Sequence, residues 1–249
     1  MNRPANQIGF SQRVRIEWLE YTADLVLSGK DKPSVEDALQ TLLKDKVSIG
    51  GQAERGNREK IITILMKVWL TVPPELESLR VAGLGLLKRP SGHERTAVHW
   101  GMATAVYPFW SSVASQVGRL VRLQGSAAAV QVQRRVREQY GERETVSRAA
   151  RRVLRSFLDW GVLKETSKKG VYTAEPPVTI EDPWLTTWLI EASLNARANR
   201  SAPLKDLLNG PNLFPFRLQP LGSERLTAGC SKIEILRHGL DEDLVILRS

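Results

Sequence analysis

Residues Ala127 to Ala174 read AAAVQVQRRVREQYGERETVSRAARRVLRSFLDWGVLKETSKKGVYTA, and this stretch decides the fold class. Ala127 to Tyr140 has the pattern of a helix, stopped by Gly141. A short link, Glu142-Arg143-Glu144, leads to Thr145 as N-cap of a second helix, Val146 to Trp160, which Gly161 terminates. Val162 to Thr166 and Val171 to Ala174 have the character of short strands, and they flank the basic turn Ser167-Lys168-Lys169-Gly170. Helix, tight turn, helix, strand, basic turn, strand is the order of a winged helix-turn-helix. A helix over Pro108 to Leu123 supplies its first member.

The second helix of this motif can be tested by angle. At roughly 100° per residue, Arg148, Arg151, Arg152 and Arg155 fall within about 100° of one another. Val146, Ala150, Val153 and Phe157 fall on the opposite side. One face therefore enters a core while the other projects four guanidiniums, as a helix lying in a DNA major groove requires. Charged stripes are commonly no more than solvated helix faces, but those faces mix signs so that neighbours one turn apart attract. A run of arginines is costly unless an anion relieves it. Arginine also suits the role, because its planar fork grips phosphate or a guanine edge with two bonds. Lys168 and Lys169 on the turn would meet the DNA backbone or minor groove. Arg134, Arg135 and Arg137 on the preceding helix are candidate phosphate contacts, with Glu138 and Glu142 as competing partners.

The charge distribution supports this. The chain of 249 residues has a formal net charge of +9. Between Arg119 and Lys169 ten Arg and three Lys face five acids, so nearly the whole surplus sits in one fifth of the sequence. A concentrated positive patch attracts a polyanion, since each neutralised phosphate releases condensed counterions. Aromatic residues do not interleave with the basic cluster, as stacking on single strands would require, which ranks RNA below duplex DNA.

Other function classes find little footing. His93, His99 and His238 have no ligand spacing among themselves or with Cys230, so no metal is expected. Gly83-x-Gly85 lacks the rest of a dinucleotide or P-loop fingerprint and reads as helix packing. Gly50-Gly51-Gln52 reads as a loop. No catalytic triad, acid pair or cofactor motif is recognisable, and the chain reads as a non-enzyme. Cys230 stands alone, which suits a reducing compartment. Met1 to Arg13 has no signal-peptide core. The longest apolar run, Ile61 to Val72, is broken by Lys67 and is too short for a membrane span. A cytoplasmic protein with no membrane partner is the expectation.

Residues 1–107 read as a bundle of five short helices: Val14 to Leu27, a helix opened by Pro33 and capped by Ser34, Asn57 to Thr71, Glu75 to Leu87, and Thr96 to Val106. Residues 108–175 hold the winged motif. Beyond Pro176-Pro177, residues 176–249 read as a small mixed α/β extension. It has a helix over Trp184 to Ala198 and a hairpin of Lys232 to Arg237 with Asp243 to Arg248 across Gly239. It is either a separate module or an extension packed on the rest. The fold expectation is thus mainly α, with an N-terminal helical bundle, a central winged helix-turn-helix and a mixed C-terminal extension. Most of the seven Trp sit among apolar neighbours and read as core fillers.

Two runs also carry a resemblance. His99-Trp-Gly-Met-Ala-Thr-Ala-Val-Tyr-Pro-Phe-Trp110 and Ala149-Ala-Arg-Arg-Val-Leu-Arg-Ser-Phe-Leu-Asp-Trp-Gly-Val-Leu163 resemble the small A-component of bacteriophage-exclusion (BREX) defence systems. That family has a Trp-x-x-Ala-x-x-x-Tyr-x-Phe-like patch and a Leu/Arg-rich helix ending in Gly-x-Leu. The similarity spans roughly Trp18 to Leu163. It implies a non-catalytic, DNA-binding accessory of an anti-phage system, acting beside a methyltransferase and ATPases. Some eighty residues after the wing depart from the family. A winged-helix transcriptional regulator and a protein-interaction adaptor remain as alternatives.

Overall fold

A computed structural model describes residues 7–47, 56–89, 92–238 and 242–248. Among these, eleven α-helices and eight short strands make a mainly helical molecule with three small sheets. The first helices are α1 (Ile16–Leu27), α2 (Lys32–Leu43), α3 (Asn57–Trp69), α4 (Glu77–Leu87) and α5 (Gly92–Val106). Helix α2 opens two residues before Ser34. Asp31 is the cap, accepting from the Ser34 N–H at 3.1 Å, because Pro33 fits the first helical turn and lacks a donor to satisfy. Most of the expected Gly50–Gly56 loop lies outside the described residues.

The central stretch runs α6 (Pro108–Gln124), β1 (Ala127–Ala128), α7 (Ala129–Tyr140), α8 (Glu144–Asp159), β2 (Leu163–Glu165) and β3 (Val171–Ala174). Two expectations are corrected here. Ala127-Ala128 is a strand rather than the start of a helix, paired antiparallel with Val171 and Tyr172. Helix α8 begins at Glu144 with Arg143 as its half-in residue, so Thr145 is already helical and caps nothing. Gly161 (φ 66°) turns the chain out of α8, and Gly170 (φ 76°) closes the β2–β3 turn; both positions favour a residue without a Cβ.

The remainder is β4 (Val178–Ile180), α9 (Pro183–Asn195), β5 (Ser201–Pro203), α10 (Leu204–Leu208), β6 (Phe216–Leu218), α11 (Ser223–Gly229), β7 (Ile233–His238) and β8 (Glu242–Leu247). Strands β7 and β8 pair antiparallel over six residues as the expected hairpin, with β5 added on the far side of β8. Its Gly239 turn lies outside the described residues. β4 and β6 form a separate parallel pair.

Helix α9 explains how the C-terminal stretch is held. Every residue from Leu185 to Leu194 is buried, which an amphipathic surface helix cannot be. Its Trp188 lies between α4 and α5, where a Cβ added at Gly83 or Gly101 would come within 2.8 Å or 2.3 Å of the indole. The Trp188 Nε1 donates to the Leu79 carbonyl at 2.9 Å. Gly83 therefore serves helix packing, as expected, whereas Gly85 faces open space. Six of the seven Trp are buried; Trp184 is the exception, 57% exposed.

A single aromatic cluster anchors α8. Trp100 of α5 meets Trp110 of α6, Phe157 of α8 and Trp160, and also Phe214 and Phe216 from the C-terminal stretch, with centroids 4.8–5.9 Å apart. Its Nε1 donates to the Asn212 carbonyl at 2.9 Å. The buried apolar side chains form one contiguous core through all three stretches.

Candidate nucleic-acid interface

The apolar stripe of α8 is buried as the periodicity predicts: Val146, Ala150, Val153 and Phe157 have no exposed surface. That leaves the opposite face outward. Arg148, Arg151 and Arg155 are exposed there. Their electrostatic surroundings differ. Arg148 lies 3.4 Å from Glu144 one turn back, and Arg155 lies 3.3 Å from Glu165 on β2. Among the described residues Arg151, midway between them, makes no ion pair. The run of arginines is thus partly relieved by acids at its margins. These pairs are solvent-exposed and weak, each of the order of 0.2–1 kcal/mol, so an incoming phosphate can exchange with them.

Arg152 departs from the expected face. It is half-buried, and its Nη1 donates to the Ser11 carbonyl at 2.7 Å. Burial, and then the positive charge of Arg148, lower its pKa. The cause is an N-terminal segment that lies along one edge of α8. There the Val14 N–H donates to Ser156 Oγ at 2.9 Å and Trp160 Nε1 donates to the Val14 carbonyl at 3.0 Å. Arg13 adds a two-pronged bond to Asp159. We call residues 7–15 the strap. Sequence reasoning missed it, because its partners lie more than 140 positions away and no local signal announces them.

On α7, Arg134 pairs with Glu138 at 3.5 Å and Arg137 with Glu142 at 3.3 Å, the competing partners anticipated from the sequence. Arg135 is half-buried and makes no ion pair among the described residues. Lys168 and Lys169 are exposed on the β2–β3 turn. That turn is tied down: Thr166 Oγ1 accepts from the Lys168 N–H at 3.2 Å and lies 3.0 Å from the Val171 carbonyl. The Ala129 N–H donates to the Gly170 carbonyl at 2.8 Å, which sets the turn beside the start of α7.

Among the described residues no group of three His, Cys, Asp or Glu side chains is placed to hold a metal ion, and no helix is long and apolar enough to cross a membrane. His99 is a core residue. Trp69 Nε1 donates to its Nδ1 at 3.0 Å, and its Nε2 is 3.2 Å from Glu20, which Arg95 also grips. No family model, curated protein or solved structure matches the chain.

Proposed function

We propose that residues 108–174 are a winged helix-turn-helix and that the protein binds duplex DNA without catalysing a reaction. The order α6, β1, α7, α8, β2, β3 and the sheet order β1-β3-β2 support the motif. One observation carries the binding: α8 buries its whole apolar stripe while presenting Arg148, Arg151 and Arg155 outward, with the basic β2–β3 turn following it in the chain. In this reading α8 lies in the major groove, and Lys168 and Lys169 meet backbone phosphate. The helix–strand–turn scaffold makes the face rigid, so it needs little ordering on binding.

The test is a titration of the purified protein on duplex DNA, single-stranded DNA and RNA across a salt series. Four to six phosphate contacts give a log–log salt slope of roughly −4 to −5 on duplex. Absent binding at low salt, or binding indifferent to salt, would overturn the proposal. A preferred operator sequence would point to a transcriptional regulator. A second reading, an adaptor that docks on an acidic protein, draws on the carboxylates already beside Arg134, Arg137, Arg148 and Arg155. It requires no DNA binding. The resemblance to the small component of bacteriophage-exclusion systems extends the DNA-binding proposal to an accessory role, tested by co-purification with a methyltransferase and ATPases.

A further inference from the structure

The strap supplies a charge to the DNA-binding face that the arginine helix lacks on its own. At roughly 100° per residue, Asp159 sits about 20° from Arg148, on the same stripe as Arg155. An acid there is badly placed twice over. It lies in the last turn of α8, where the helix dipole disfavours negative charge, and it faces the side on which a polyanion would approach. Glu144 at the other end of the stripe escapes the first problem, because a helix N-terminus favours an acid, and it is paired with Arg148 of the stripe itself at 3.4 Å.

The structure compensates for Asp159 from outside the motif. Arg13 holds both carboxylate oxygens, through Nε and Nη2. The Asp159 side chain keeps only 17% of its surface open, whereas Arg13 keeps 48%, so the guanidinium overlies the acid. The strap is held in that position by the Val14–Ser156, Trp160–Val14 and Arg152–Ser11 bonds. What a ligand meets at this end of the stripe is a cation with the acid behind it.

We propose that Arg13 is a positioning residue of the duplex-DNA interface, screening the Asp159 carboxylate from the phosphates so that the arginine stripe of α8 stays attractive along its length. This rests on the duplex-binding proposal above. The strap, 140 residues away in sequence, is then a working part of the binding face.

The experiment compares wild type, Arg13→Gln, Asp159→Asn and the double variant on a fluorescent duplex of mixed sequence over a salt series, with a thermal melt of each. Arg13→Gln bares the acid and should weaken binding by about tenfold at low salt and make the salt slope shallower by about one. Asp159→Asn frees Arg13 and should tighten binding. The double variant should return to within about threefold of wild type, because the screened acid and its screen leave together. A folded Arg13→Gln protein that binds like wild type would overturn the proposal. So would a double variant as weak as Arg13→Gln, which would make Arg13 a direct phosphate contact. If Arg13→Gln does not fold, Asp159→Asn and the double variant decide: tighter binding by the first with near-wild-type binding by the second supports the screen, and unchanged binding by the first or weak binding by the second refutes it. Failure of the wild type to bind duplex at any salt is a different result, and removes the underlying proposal instead.

Discussion

Arg152 and Arg151 are neighbours on α8 with opposite commitments: Arg152 donates to the Ser11 carbonyl at 2.7 Å, while Arg151 is exposed and makes no ion pair among the described residues. Replacing each with Ala should separate stability from binding. Arg152→Ala loses a charged hydrogen bond that pins the strap, and should cost about 1–2 kcal/mol, the low end for such bonds because the side chain is half-open. Arg151→Ala should leave stability within about 0.5 kcal/mol. It should weaken duplex binding by about 1–3 kcal/mol if the guanidinium reads a base edge. Chemical denaturation and anisotropy on the same two proteins check this. Equal losses of both properties in both variants would contradict it.

The turn lysines are expected to act by charge alone. Replacing Lys168 and Lys169 with Ala should weaken binding to all duplexes alike and make the salt slope shallower by roughly two. Thr166 ties the turn through backbone groups, which the substitutions leave intact. A changed sequence preference at constant slope would mean that the turn reads bases.

The approach of Trp188 to Gly101 forbids even a methyl group there. A Cβ at Gly101 would lie 2.3 Å from the indole and 2.9 Å from Leu189 Cδ2. Gly101→Ala should destabilise by about 1–3 kcal/mol through overpacking, and lower Tm by roughly 2–4 °C for each of those kcal/mol. Gly85→Ala, in open space, should be neutral or slightly stabilising because helix propensity rises. A melt of both variants decides it, and equal Tm values would refute the packing account.

Acid should lower the stability of the fold in two pH windows. Burial lowers the pKa of His99, with the Glu20 carboxylate opposing. The Trp69 indole N–H at Nδ1 also leaves that nitrogen without a proton. A base depressed in the fold contributes stability that is complete above its unfolded value of about 6.5 and is lost as pH falls below it. For Glu20, burial pushes the carboxyl up, but hydrogen bonds from His99 and Arg95, with the charge of Arg95, outweigh it and hold the pKa at about 2. Its contribution is present above about 4.5 and is lost between there and 2. The urea midpoint should therefore fall below pH 6.5 and again below pH 4.5, and Glu20→Gln should flatten the second fall. A midpoint that rises on acidification would refute this.

Much of the helical order was legible because it is written in local periodicity. Val146, Ala150, Val153 and Phe157 announce the buried side of α8, and six of the seven Trp proved to be core. The β7–β8 hairpin was also legible from its two apolar runs. What stayed hidden was non-local. Ala127-Ala128 has helical composition, and only pairing with Val171 and Tyr172 extends it. The angular test placed Arg152 on the open face by period, but it could not see Ser11 arriving to claim the guanidinium. Nor could it mark the strap, whose residues acquire their role only beside α8. The burial of α9 on every side was beyond a pattern that identified a helix without its neighbours.

The seat of Trp188 between Gly83 and Gly101 also sets a clock on synthesis. About 87 residues separate Gly101 from the side chain that covers it, so at roughly 5–20 residues per second the ribosome leaves that groove open for about 4–17 s. During this interval α4 and α5 can form as helices but cannot complete their core, and the groove that Trp188 fills stays open to solvent. Truncated or stalled chains ending before α9 would carry the same open groove permanently, and should be found in aggregates or with proteases rather than as a folded N-terminal fragment.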